Sequence, residues 1–137
     1  VGVPCGDTPG FIVNRLLVPY IVQGVAMVAR GDAKPDDIDL AMRLGAGYPM
    51  GPITLSDYVG NDINLAVMKG WVERFPDDPA FQVPEAMELL EEMVEKNLLG
   101  RKTGQGFFKW EGNKRAEMRR MTMTMPPIHK TWSETAC

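Results

Sequence analysis

The stretch T-P-G-F-I-V-N-R-L-L-V-P-Y-I-V-Q-G-V-A-M-V-A-R-G, from Thr8 to Gly31, decides how the rest of this 137-residue chain is read. Asp7 and Thr8 are N-cap residue types. Pro9 suits a first helical position, where its missing N–H has no partner to lose, and Gly31 after Arg30 is a stop. A helix from Pro9 to Arg30 is predicted, with Pro19 removing one backbone bond near Arg15 and bending it. Phe11, Ile12, Val13, Leu16, Leu17, Val18, Tyr20, Ile21, Val22, Val25, Ala26, Met27 and Val28 cover nearly its whole circumference. Such a helix has to be covered on several sides, and periodicity leaves open whether its own domain or a second subunit or adjoining domain does so. Asn14, Arg15, Pro19 and Gln23 interrupt the run and speak against a membrane span.

Further helices follow outward from this one. Pro35, with Asp36 and Asp37 in the first turn, opens a second helix ending before Gly45, with Ile38, Ala41, Met42 and Leu44 as its apolar stripe. Three glycines and two prolines between Gly45 and Pro52 forbid regular structure and predict a tight loop. A short helix runs from Pro52 through Tyr58, and Asn61 or Asp62 caps another reaching Phe75, with Ile63, Ala66, Val67, Gly70, Trp71 and Arg74 on one face. After a proline-rich loop, a helix from Glu85 to Leu99 turns Met87, Leu90, Met93, Val94 and Leu98 inward, and Gly100 ends it. Gly104, Gly106, Phe107, Phe108 and Trp110 suggest a turn and an extended segment packing back on the helices. The fold class is thus all-α, a compact multi-helix domain over residues 1–110, followed by an irregular tail over 111–137 that has no core-forming period.

Composition excludes several function classes. The chain is 45% hydrophobic and 24% charged, as soluble globular domains are. A net charge of −3 is not that of a nucleic-acid binder, and the Lys114 to Arg120 cluster is accompanied by glutamates. Cys5 and Cys137 lie at opposite ends, which is neither a metal-ligand spacing nor a disulfide framework. No metal ligand set and no cofactor-binding residue is assigned. Gly45-Ala46-Gly47 with Gly51 lacks the strand before it and the helix directly after it that a dinucleotide fingerprint needs, and Gly100 to Gly106 lacks the P-loop order.

Alcohol oxidation needs a base near neutrality, usually histidine. The one histidine, His129, sits beside Pro126 and Pro127 in the tail, without a carboxylate nearby to fix its tautomer. Asn14 is the polar residue that most needs an explanation. It is read as lying beyond the first turn, where capping does not account for it and where it either makes an inter-helix hydrogen bond or orients a substrate or a base. Arg15 beside it is read as an ion-pair residue.

Thr8 to Tyr20, with R-G-D-A at Arg30 to Ala33, D-I-D at Asp37 to Asp39, A-M-R-L-G-A-G-Y-P-M-G-P at Ala41 to Pro52, D-Y-V-G at Asp57 to Gly60 and K-T-G-Q-G-F-F at Lys102 to Phe108, resembles the C-terminal domain of NAD-dependent L-3-hydroxyacyl-CoA dehydrogenases. The resemblance covers nearly everything before the tail. It implies a two-domain enzyme of fatty-acid β-oxidation whose N-terminal Rossmann domain, upstream of Val1, carries NAD and the catalytic histidine and glutamate. This helical part would then form the homodimer. It also implies that Asn14 completes the catalytic site, that the 45–52 loop borders the acyl-CoA cleft, and that the compartment is the mitochondrial matrix, with the cytoplasm as the other reducing option. The chain by itself is expected to be inactive. The alternative reading is a truncated, non-catalytic dimerisation module. Lys34 and Pro35 replace the serine that often opens the second helix in relatives, and residues 111–137 have no counterpart there.

Overall fold

A computed structural model describes residues 1–116. His129, Cys137 and most of the expected tail lie outside these described residues. The elements are α1 (Val13–Arg30), α2 (Pro35–Gly45), α3 (Pro52–Val59), α4 (Asn61–Arg74), α5 (Pro84–Glu95) and a hairpin of β1 (Trp110–Glu111) and β2 (Lys114–Arg115), with short 3-10 turns at Pro79–Phe81 and Arg101–Thr103. The all-α expectation holds. Among the described residues no helix is long and apolar enough to cross a membrane.

α1 is the spine, packed on α3 and α5, with α4 against α5 and α2 against α3. Val18, Ile21, Val22, Val25, Ala26 and Val28 recur at helical spacing and are buried, Val22, Val25 and Ala26 completely. Gly24 lies against Pro52, so close that a Cβ there would stand 2.9 Å from the proline ring. The second half of α1 is therefore enclosed by its own domain. Its first half is not: Phe11, Val13 and Leu16 are 64%, 69% and 70% exposed.

The beginning of α1 differs from the sequence reading. Regular helix starts at Val13, not Pro9, and Ile12 stands at the N-cap position without a side-chain hydrogen bond. Gly10 (φ 82°) and Phe11 (φ 49°) take left-handed values, and the Phe11 amide closes a turn on the Thr8 carbonyl at 2.9 Å. Right-handed helix cannot run through two such residues, so the Asp7 and Thr8 caps are not used. Asn14 consequently sits in the first turn of the helix rather than beyond it.

Two apolar faces also shift, and one helix ends early. In α2, Ile38 and Asp39 are buried, whereas Leu44 is exposed and Ala41 faces outward. In α4 the buried set is Asn61, Asn64, Leu65, Met68 and Trp71, about one position round from the predicted stripe, and Ile63 is exposed. The reason is polar satisfaction. Ser56 Oγ donates to Asn61 Oδ1 (2.8 Å), and Asn64 Nδ2 donates to the Ser56 carbonyl (3.2 Å) and hydroxyl (3.0 Å), so these asparagines cost little to bury. Asn61 is thus a core residue rather than a cap. α5 stops at Glu95 instead of Leu99, because Asn97 (φ 56°) turns left-handed and the Leu98 amide returns to the Met93 carbonyl at 2.8 Å.

Asp57 ties the C-terminal segment to this core. Its carboxylate accepts from the amides of Phe107 and Phe108 and from Trp110 Nε1, all at 2.9 Å, and from Asn61 Nδ2 at 3.1 Å. Burial pushes the Asp57 carboxyl above its ordinary range, while these donors pull it back. Gly106 passes so close to Asp57 that a Cβ would collide with the carboxylate. The aromatic segment packs back as expected, with Phe108 and Trp110 buried.

The expected change of character at Glu111 falls inside the hairpin. Arg115 lies over the Phe108 ring (3.4 Å to the centroid), pairs with Asp36 and with Asp39 (3.7 Å), and donates to Thr54 Oγ1 at 3.1 Å. Replacing Arg115 by alanine strands a nearly fully buried Asp39 carboxylate beside fewer partners and is expected to cost about 2 kcal/mol. Urea unfolding of the chain measures this, and a loss within experimental error would show that the hairpin is merely laid on the surface.

Candidate functional site

Asn14 is exposed, and among the described residues its carboxamide takes no hydrogen bond from or to the protein. The inter-helix hydrogen bond that the sequence left open for it is not formed. Successive residues of a helix are rotated by about 100°, so Asn14 projects between the directions of Val13 and Arg15.

On the Val13 side, Ile12, Val13, Leu16, Leu17, Tyr20 and Tyr48 line an open apolar recess of about 240 Å³. Tyr48, from the glycine-proline loop, stacks on Tyr20 with centroids 4.7 Å apart and planes 14° from parallel. Burial, with the Asp39 carboxylate adding, pushes the Tyr20 hydroxyl up to about 12, so it stays protonated at any physiological pH. Its oxygen is buried and has no partner among the described residues.

On the other side, Arg15 forms the expected ion pair, with Asp78 at 3.4 Å. Its guanidinium also lies over three rings, at 4.7 Å from the Phe81 centroid, 4.9 Å from Phe75 and 5.7 Å from Trp71. The sequence showed no sign of this cradle. Its members come from α1, α4 and the loop around Asp78, more than fifty positions apart in the chain, and no local period links them.

The Gly45 to Pro52 loop does not suit a dinucleotide phosphate. The amides of Ile53 and Thr54 at the start of α3, which would face such a group, already donate to the Asp39 carboxylate at 2.8 Å each. The helix terminus is therefore occupied by an internal anion, and Pro49 and the preceding α2 replace the strand that the binding motif requires. Among the described residues no group of three or more His, Cys, Asp or Glu side chains could hold a metal ion.

Fold and site together define a helical domain that presents, at one end, an exposed asparagine without a side-chain hydrogen bond among the described residues and, beside it, exposed apolar side chains. The family described as "3-hydroxyacyl-CoA dehydrogenase, C-terminal domain" matches residues 10–110, and the chain belongs to that family. It is 54% identical over 109 residues to the mitochondrial hydroxyacyl-coenzyme A dehydrogenase of Mus musculus, and 50% identical to that of Homo sapiens, in each case over 80% of this chain and 34% of the relative. The solved structure of (S)-3-hydroxybutyryl-CoA dehydrogenase from Ralstonia eutropha superposes with a TM-score of 0.69 at 40% identity, over 76% of this chain and 35% of that one. The chain spans about a third of the length of the curated relatives it matches.

Proposed function

We propose that the chain is the helical second part of an NAD-dependent L-3-hydroxyacyl-CoA dehydrogenase of fatty-acid β-oxidation in the mitochondrial matrix, to which it contributes Asn14 and dimer contacts. The observation that carries this reading is the carboxamide of Asn14, exposed and without a hydrogen bond among the described residues, in the first turn of α1 within the matched domain. Oxidising a 3-hydroxyacyl-CoA to the 3-oxoacyl-CoA needs a base for the hydroxyl proton, an acceptor for the hydride, and a donor that holds the oxygen while its bond to carbon changes order. Asn14 meets the third need: its Nδ2–H donates to the substrate oxygen and fixes it against the base. The base and the NAD site belong to another part of the whole enzyme, since His129 is the chain's one histidine and the glycine loop is closed to phosphate by Asp39.

The chain alone is accordingly expected to give no turnover with acetoacetyl-CoA and NADH. Joined to the nucleotide-binding part of the Mus musculus relative in place of that enzyme's own second domain, it is expected to restore activity. A rate for the isolated chain equal to that of a full-length relative would overturn the division of labour.

The exposed apolar residues at the front of α1 support the dimer. Phe11, Val13 and Leu16 leave apolar side chains exposed on one stretch of the chain, and Leu40, Leu44 and Tyr48 add to the exposed set. Leu16→Glu places a charge where a second copy is proposed to pack and is expected to weaken self-association about a hundredfold. Analytical ultracentrifugation measures it; a parent chain that stays monomeric at every concentration removes the dimer from the proposal.

A further inference from the structure

We infer that Arg15 is a positioning residue, whose guanidinium, held over Phe81 and Phe75 and paired with Asp78, fixes the first turn of α1 and so the direction in which Asn14 leaves it. The inference rests on the reading of Asn14 as the site's asparagine, but it is carried by separate observations.

The turn before Val13 has no side-chain cap, and both the Asn14 and Arg15 amides draw on one acceptor, the Gly10 carbonyl, at 3.1 and 3.3 Å. Shared, slightly long bonds at a helix end are a fraying terminus unless something else holds them. Two contacts hold this one, and both lead to the same aromatic cluster. The first is Gly10, which lies close against Trp71: a Cβ at Gly10 would stand 3.0 Å from Trp71 Cζ2 and 2.8 Å from the Arg15 amide nitrogen. The second is the Arg15 side chain, which crosses from α1 to the rings of Phe75 and Phe81 and reaches Asp78.

Phe81 and Trp71 are themselves packed, centroids 5.1 Å apart, and Phe81 is 1% exposed, so the cradle is part of the rigid core. An arginine suits this place better than a lysine, because a planar cation can lie across rings while still donating at its edge. Asn14 is the preceding residue in the chain, and apart from its amide bond to the Gly10 carbonyl its carboxamide makes no hydrogen bond among the described residues that would hold it. Its placement is thus borrowed from Arg15. A displacement of about 1 Å at a catalytic group costs on the order of a hundredfold in rate, so loosening this anchor is expected to act on turnover rather than on binding.

The test has two arms. In the 137-residue chain, amide hydrogen exchange is followed in Arg15→Met and, should that variant fold poorly, in Arg15→Lys and Asp78→Asn. The expected result is exchange at the Asn14 and Arg15 amides about tenfold faster or more, with Ile21 and Val22 in the core unchanged. Unchanged exchange at Asn14 overturns the inference.

In the full-length enzyme carrying this domain, Arg15→Met, Asn14→Ala and the double variant form a cycle. If Arg15 works through Asn14, Arg15→Met lowers kcat with little change in KM, Arg15→Lys recovers only part of the loss, and the double variant is no slower than Asn14→Ala. Additive losses overturn the positioning role while sparing Asn14. An Asn14→Ala enzyme with undiminished kcat sinks the functional reading instead, so the two failures are distinguishable.

Discussion

On the proposed reading, replacing Asn14 by alanine in a dehydrogenase assembled from this domain and the nucleotide-binding part of the Mus musculus relative is expected to lower kcat by about 10²- to 10³-fold while KM for the acyl-CoA stays within a few-fold. The size follows from the role proposed for the side chain. A donor aimed at an oxygen whose charge grows along the reaction is worth more in the transition state than in the bound substrate, so its removal slows the chemical step without loosening binding. The fold is expected to be indifferent, because Asn14 is exposed and its carboxamide makes no hydrogen bond within the described residues. Stopped-flow or steady-state oxidation of NADH by acetoacetyl-CoA, beside a denaturant titration of the same protein, gives both numbers. An equal loss in stability would instead mark Asn14 as structural.

Asp57→Ala is expected to do the reverse, costing about 4 kcal/mol of stability through the loss of one buried acceptor for four donors. The bond from the Phe108 amide is buried and that from Phe107 partly so, and Trp110 is 8% exposed. Asp57→Asn is expected to be nearly as damaging: an NH2 group would then face donors where an oxygen accepted them, despite the unchanged size. With domains of this size stable by roughly 5–15 kcal/mol, either change removes a large share of the total. Urea or thermal unfolding measures it, and a loss under about 1 kcal/mol would mean that the C-terminal segment docks by its aromatic rings alone.

The two variants separate the parts of the molecule that the sequence disclosed unequally. Asn14 was legible as a polar residue in an apolar run, although the reason first given for it, a place beyond the first helical turn, fails against the left-handed pair Gly10 and Phe11. Asp57 gave no such signal. Nothing local marks it as an acceptor for residues fifty positions away, and two of its four partners are backbone amides, which every residue but proline has. The asparagines of α4 misled for the same reason: Asn61 and Asn64 count as polar in a periodicity argument, yet they are buried because Ser56 and Asp57 answer them.

Residue order by itself determined the helices, their approximate ends at Gly31, Gly45 and Pro52, the all-helical class and the motifs that define the family. These depend on spacing, on backbone restriction by proline and glycine, and on apolar repeats, all of which are local. Tertiary structure alone decided which half of α1 is dry, which face of α4 looks inward, where the Arg115 hairpin docks and what holds the turn bearing Asn14. Each of those is an energy balance between groups far apart in the chain, in which a buried polar atom is cheap or costly according to the partner that folding brings to it.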